Sequence, residues 1–477
     1  MTSPSVFHER RVPCAADPIA VAAALAASTT DEFVVYENEG EVGWGESPYA
    51  LVSTGVDATT LTVAGETHTL ATGPRPLDAV ARALTNVDVT GWRAYGWLAF
   101  ELSHALHGTD TGTRHAAATS DPASGGGRPD DPPIARIAVP RREIRLTVGE
   151  ALLRALDPDD LDHLEVRLAA AVSAADVPVR KARVRADVRD HGADDYRAAV
   201  ALSVAAIRAG RLDKVIVSRL VPVPEPIDLP ATYLAGRRGN DPARSFLLRL
   251  GGWQVAGFSP EIVARVSRDR TVSTQPLAGT RALAGDPTAD RTRRDELYRD
   301  AKEVFEHAIS VRLARAELAT VCAEGSVRID DFMTVKERGS VQHLASRLSG
   351  RLSEGRTAWD ALAALFPAVT ASGIPKAEAC ELIHRTETEP RGLYSGSVLT
   401  VDADGTVDAA LVLRSVFRHG GRTWLRAGAG VVAHSTPERE LEETREKLYS
   451  VSRFLVPERA DPAGDTEDPQ PAVLTAT

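Results

Sequence analysis

The chain has 477 residues, 66 acidic side chains against 56 basic ones, and a formal charge of −10. That length allows one large domain or two or three ordinary ones, while the acidic balance and the lack of a long Lys/Arg block exclude the footprint of a nucleic-acid binder. The three scattered cysteines, Cys14, Cys322 and Cys380, are odd in number and lack metal-ligand spacing, so no disulfide framework and a reducing, cytoplasmic setting are expected.

Near the N-terminus Arg10 and Arg11 precede an alanine-rich stretch, but Pro13, Asp17 and Pro18 interrupt what would have to be a secretory signal. The same residues predict a helix over 18–27, with Asp17 as its cap and Pro18 in the first helical position. No window approaches the roughly 18 apolar residues of a membrane span. Strands are expected at 32–36 and 95–100. The Gly-, Pro- and Asp-rich segment 108–133 breaks all periodicity and predicts a mobile loop. Beyond it come a helix at 196–209 and a strand at 214–221 that sets Lys214, Ile216 and Ser218 on one face. Further strands are expected at 245–250, 253–258, 262–266 and 410–417, and helices at 292–321 and 437–454. From residue 457 the tail reads as disordered. Strand pairs joined by short turns, rather than strict strand–helix alternation, predict an antiparallel α+β architecture.

The candidate chemistry lies in the second half. Glu303 and Glu306 on one predicted helix, and Glu440 and Glu443 on another, are each spaced three apart and share a helix face. Carboxylates converging from two helices suit Mg²⁺, although an isolated pair of this kind usually sits on a solvated face. Arg414 interrupts an apolar run, and a buried guanidinium demands an anion, either an internal acid or a ligand carboxylate. The segments 276–281 and 370–376 set glycine beside small hydroxyl residues, turns that can present donors to a ligand or merely be turns. Gly428-x-Gly430 lacks the third glycine of a dinucleotide fingerprint, and no Gly-Lys-Ser/Thr closes a phosphate loop, so neither nucleotide reading survives.

Taken in order, the blocks Lys214–Arg219, Phe258–Glu261, Pro276–Arg281, Lys302–His307, Asp331–Met333, Gly339–His343, Thr370–Lys376, Arg391–Gly396, Leu413–Arg414, Arg426–Gly430 and Glu440–Lys447 resemble the chorismate-utilising enzymes, which include anthranilate, aminodeoxychorismate, isochorismate and salicylate synthases. The likeness covers residues 190–456, and more weakly 32–36 and 95–101. It implies a single α+β domain over 1–456 of the aminodeoxychorismate synthase type, with two packed antiparallel β-sheets covered by helices. Residues 1–190 would add strands to the same body, and 191–456 would form the catalytic part.

Within the family, water-using members carry Lys at the position of Lys214 where ammonia-using members carry Gln, and aminodeoxychorismate synthases carry a nucleophilic Lys where this chain has Ala278. The resemblance therefore implies water as nucleophile, Lys214 as base and Glu261 as a protonated acid. A lysine serves as base only when neutral, which burial or nearby cations favour. Mg²⁺ would sit on Glu306 and Glu443 with Glu303 and Glu440 close by. Tyr394 and Arg414, helped by N–H groups near Gly428 and Gly430, would hold the enolpyruvyl carboxylate of chorismate. Gly279, Thr280, Thr370 and Lys447 match further substrate-contacting positions, and His343 a site residue that orients the ring. The turns at Thr280, 339–343 and 370–376 look like the salicylate synthase versions; an isochorismate synthase that stops one step earlier is the alternative, with an anthranilate synthase component behind it. No amidotransferase subunit is then expected.

Overall fold

A computed structural model describes residues 5–108, 132–178, 180–283, 285–339 and 341–458. Most of the expected mobile loop, 109–131, lies outside these residues, as does the expected disordered tail from 459 onward. The described chain runs slightly into that tail, because Pro457 forms a β-bridge with Ile227 and the Glu458 N–H donates to the Pro226 carbonyl.

Two antiparallel sheets carry the molecule. In the first, Phe33–Asn38 lies between Glu41–Thr54 and Arg244–Leu250, and the order continues through Trp253–Ser259, Ser415–His419 and Arg422–Val431 to Lys214–Pro222. In the second, Arg93–Leu98 pairs with Ser397–Asp402, which leads through Val407–Leu411, Ile262–Val266 and Thr271–Thr274 to Val341–Arg351. The long strands Glu41–Thr54 and Ala135–Thr147 pair with each other along their length and belong to both sheets, with the register shifting between Pro48 and Ala50.

Alternation along the strands explains why the sheets stack. Val34 and Tyr36 join Tyr95, Trp97, Phe246, Leu248, Val398 and Phe417 in a core between the sheets, while Phe33 and Val35 point the other way into a core roofed by helices. A strand buried on both faces reads as a continuous apolar run, as this one does. The inter-sheet core is pinned by polar bonds: the Tyr36 hydroxyl donates to Asp408 Oδ1, and Arg244 grips the same carboxylate through Nε and Nη2, each at 2.7 Å. The helix Pro18–Ala27 starts at Asp17, whose side chain accepts from the Ile19 N–H, as expected from the sequence. Its small residues let it pack against Asp159–Ala175 and Leu229–Gly239.

Two expected elements are broken. The helix expected over 292–321 is two helices, Pro287–Arg299 and Ala301–Val321, because Asp300 leaves helical geometry and caps the second by accepting from the Lys302 and Glu303 N–H groups. The strand expected over 410–417 is likewise two, Val407–Leu411 and Ser415–His419, with Arg414 between them at φ +49°. That left-handed conformation is uncommon for a non-glycine residue and turns the side chain out of the ladder.

Candidate active site

Arg414, at the second break, lines a cleft of about 780 Å³, its open mouth included, bounded also by Glu261, Gly279, Thr280, Glu306, His343, Thr370, Tyr394, Arg426, Gly428, Gly430, Glu443 and Lys447. Thr280 and His343 are brought together by register, as directly opposed residues of paired strands. Glu261 follows Pro260 in the link between Trp253–Ser259 and Ile262–Val266. The residue is 3% exposed, and burial pushes the pKa of its carboxyl up to about 8, against the opposing pull of the Thr370 hydroxyl, which donates to Oε1, and of the Lys214 charge. At neutral pH it is a carboxylic acid with a proton to give.

Arg414 is the counterpart. It is 9% exposed, and no carboxylate of the described residues pairs with it; its guanidinium reaches only the Arg338 carbonyl, at 3.5 Å, and His343 Nε2. Burial lowers its pKa to about 10. The internal acid that a buried guanidinium could have used is therefore missing among these residues, and the charge faces the cleft. His343 is held neutral by burial and by Arg414. Its Nδ1 lies 3.1 Å from the Gly279 carbonyl and from Thr280 Oγ1, so the tautomer that fits has Nδ1–H donating to Gly279 and Nε2 accepting from Arg414. With both nitrogens engaged, His343 orients the guanidinium.

Tyr394 lines the same wall between two further guanidinium groups, Arg391 and Arg426, at 5.6 and 5.7 Å from its ring centre. Unlike Arg414, both are neutralised internally by buried Glu387, which Arg391 grips through Nε and Nη2 and Arg426 through Nη2. The contribution of Gly430 is space: a Cβ there would stand 2.0 Å from Glu306 Oε1, and one at Gly428 would meet the Val217 carbonyl at 2.5 Å.

Lys214 is fully buried but does not line the cleft. Its Nζ lies 2.9 Å from Glu306 Oε1 and donates to Ser310 Oγ at 3.0 Å, so Glu306 stands between it and the cavity. The acidic residues come together around a cation that sequence reasoning missed. Lys302 Nζ lies 3.2 Å from Glu440, 3.4 Å from Glu306, 3.8 Å from Glu303 and 3.9 Å from Glu443. Among the described residues no group of three or more His, Cys, Asp or Glu side chains stands ready to enclose a metal. The donor set nevertheless suits a hard divalent cation: all four are carboxylates, Glu303 Oε2 is buried without a hydrogen-bond donor, and buried Glu440 Oε1 has the Lys302 ammonium at 3.2 Å but no well-directed hydrogen bond. Of the four, Glu306 and Glu443 face the cleft. Burial would raise both, but Lys214 and Lys302 hold Glu306 low, and Lys447 and Lys302 hold Glu443 low; burial pushes Glu303 and Glu440 up.

A cleft pairing a protonated acid with an unpaired guanidinium, set in two stacked sheets, defines a class, and the chain belongs to the family of chorismate binding enzymes, whose profile matches residues 31–453. Among its relatives is the salicylate synthase of Mycolicibacterium paratuberculosis, 42% identical over 449 residues that span 93% of this chain and 95% of the relative. The anthranilate synthase component 1 of Haloferax volcanii is 36% identical over 68% of this chain and 65% of its own length. The fold matches the menaquinone-specific isochorismate synthase from Escherichia coli with a TM-score of 0.70 and 22% identity, covering 95% of this chain and 96% of that one. It also matches anthranilate synthase component I from Streptococcus pneumoniae, with a TM-score of 0.67 at 22% identity over 89% and 93% of the two chains. No helix among the described residues is long and apolar enough to cross a membrane.

Proposed function

We propose that this chain is a Mg²⁺-dependent salicylate synthase that converts chorismate to isochorismate and then to salicylate and pyruvate, without an amidotransferase partner. The observation that carries the first step is Glu261, a buried acid still protonated at neutral pH inside the cleft. It gives its proton to the C4 hydroxyl, which departs as water while a second water adds at C2 and the ring double bonds shift. Lys214 accepts the proton of the attacking water as the neutral amine, after its ammonium has given up a proton and parted from Glu306. Arg414, oriented by His343, pairs with the enolpyruvyl carboxylate beside the Tyr394 hydroxyl, so the reacting ring is held by a charge that has no acid partner among the described residues. Gly279, Thr280, Thr370, Gly428 and Lys447 complete the wall around it. Glu306 and Glu443 would hold Mg²⁺, with Glu303 and Glu440 behind them. When bound, the metal supplies positive charge for the ring carboxylate of chorismate.

For the second step, hydrogen moves from C2 to the enolpyruvyl methylene carbon as the C3–O bond breaks, releasing pyruvate and leaving an aromatic ring. No further acid or base is required, so the likeness to a salicylate synthase along nearly the whole chain is what favours this outcome over release of isochorismate. Incubation with chorismate and Mg²⁺ in the absence of ammonia tests the reading. Salicylate with equimolar pyruvate is expected; isochorismate accumulating without pyruvate would restrict the enzyme to the first step.

A further inference from the structure

Lys302 has no part in the chemistry above, yet it occupies the point on which all four carboxylates converge. Three of those carboxylates own a second cation: Glu306 has Lys214 at 2.9 Å, Glu443 has Lys447 at 2.8 Å, and Glu303 has Arg439 at 2.7 Å. Glu440 has none other among the described residues; its ion pair is with Lys302 alone, at 3.2 Å. The lysine is 5% exposed and anchored on the same helix as Glu303 and Glu306, so its ammonium enters the cluster from within. Buried carboxylates at such spacing repel strongly unless a cation stands among them.

We propose that Lys302 is the built-in counter-ion of the acid cluster, a positioning residue that gathers the four carboxylates and whose ammonium a divalent cation must overcome in order to bind. This inference rests on the reading that the cluster takes Mg²⁺. The ammonium brings one positive charge and hydrogen-bonding hydrogens; Mg²⁺ brings two charges and a demand for direct oxygen contact. Either cation satisfies Glu440, and the two compete for the same oxygens. Lys302 therefore sets a threshold for metal affinity while keeping the folded chain independent of metal supply.

The test uses the full chain with Lys302→Met, which keeps an unbranched side chain one heavy atom shorter and removes the charge. Thermal unfolding is followed in chelator and in excess Mg²⁺, and Mg²⁺ binding is titrated calorimetrically. In chelator the variant should melt on the order of 3–5 °C below wild type, and saturating Mg²⁺ should close most of that gap. Its Kd for Mg²⁺ should fall at least about tenfold. A gap of the same size with and without Mg²⁺, or an unchanged Kd, would overturn the proposal, since a lysine that merely packs has no metal-dependent effect. If wild type and variant both fail to bind Mg²⁺, the metal reading of the cluster itself fails. Should the methionine variant not fold in either condition, Lys302→Arg carries the test: a bulkier retained cation should leave stability in chelator near wild type and weaken Mg²⁺ binding at least about fivefold, and an unchanged Kd there refutes the competition.

Discussion

Replacing Glu261 with Gln should make the protein more stable as it destroys the activity. Burial raises the Glu261 carboxyl from the usual 4.5 to about 8. Below pH 4.5 the acid is protonated in both folded and unfolded chains, and its burial carries no ionisation penalty. As pH rises from 4.5 to 8 the unfolded chain ionises and the folded one does not, so stability is lost at about 1.4 kcal/mol per pH unit. The accumulated loss is about 1 kcal/mol at pH 5, about 3 at pH 7 and about 5 above pH 8, where it stops growing. Gln has the same shape, retains an acceptor for the Thr370 hydroxyl and has no charge to lose, so Glu261→Gln should recover that loss. Against a typical whole-protein stability of about 5–15 kcal/mol, the gain is large. Urea unfolding of both proteins at pH 5, 7 and 8.5 measures it; the variant's advantage should widen with pH as calculated. An advantage that does not change with pH would refute the assignment of a raised carboxyl at this site. Wild-type turnover should fall as pH passes about 8, whereas the variant should be nearly inactive throughout.

Lys214→Met should abolish water addition, lowering turnover by at least about 100-fold, while Lys302 remains 3.4 Å from Glu306 to hold its charge; isochorismate formed at the wild-type rate by the folded variant would remove Lys214 as base. Methionine is preferable to alanine, which would open a void in a fully buried position and cost about 2–5 kcal/mol. Arg414→Gln should raise KM for chorismate about 10- to 100-fold with little change in urea midpoint, because no acid among the described residues loses its partner; a large loss of stability with unchanged KM would show the guanidinium to be structural. Gly430→Ala places a Cβ 2.0 Å from Glu306 Oε1, so it should cost about 1–3 kcal/mol in stability and depress turnover more than tenfold, which steady-state kinetics beside a melting curve would reveal.

Much of the fold could be read along the chain because its period is simple. The cap at Asp17, the helix it starts and the strands around Phe33 and Lys214 follow from local pattern. The breaks at Asp300 and Arg414 were harder. Asp300 followed by Glu303 is a capping signature, and Asp286-Pro287 another, but both are submerged in a run of good helix formers. Arg414 has no glycine or proline to mark its turn; its backbone is held by packing on both sides, which no local window contains. The site residues could be placed by likeness to known blocks, whereas their electrostatic roles could not. That Arg414 has no acid partner among the described residues while Arg391 and Arg426 share Glu387, or that Lys302 sits among four glutamates, depends on which distant segments meet. A lysine one position before a glutamate reads as an ordinary helix-surface pair until the facing helix supplies Glu440 and Glu443.

The interleaving of the two sheets bears on how such a protein is made and inherited. Strand Phe33–Asn38 waits for Arg244–Leu250, and Arg93–Leu98 waits for Ser397–Asp402, before either edge is closed. During synthesis each early strand therefore keeps one apolar edge unpaired, the first until Leu250 and the second until Asp402 has emerged, and the nascent polypeptide, rather than the finished enzyme, is the form exposed to aggregation. The same weave means that the segment bearing the chemistry cannot travel between proteins as a cassette: recombination that severed it from the first hundred residues would strip a neighbour from both sheets at once.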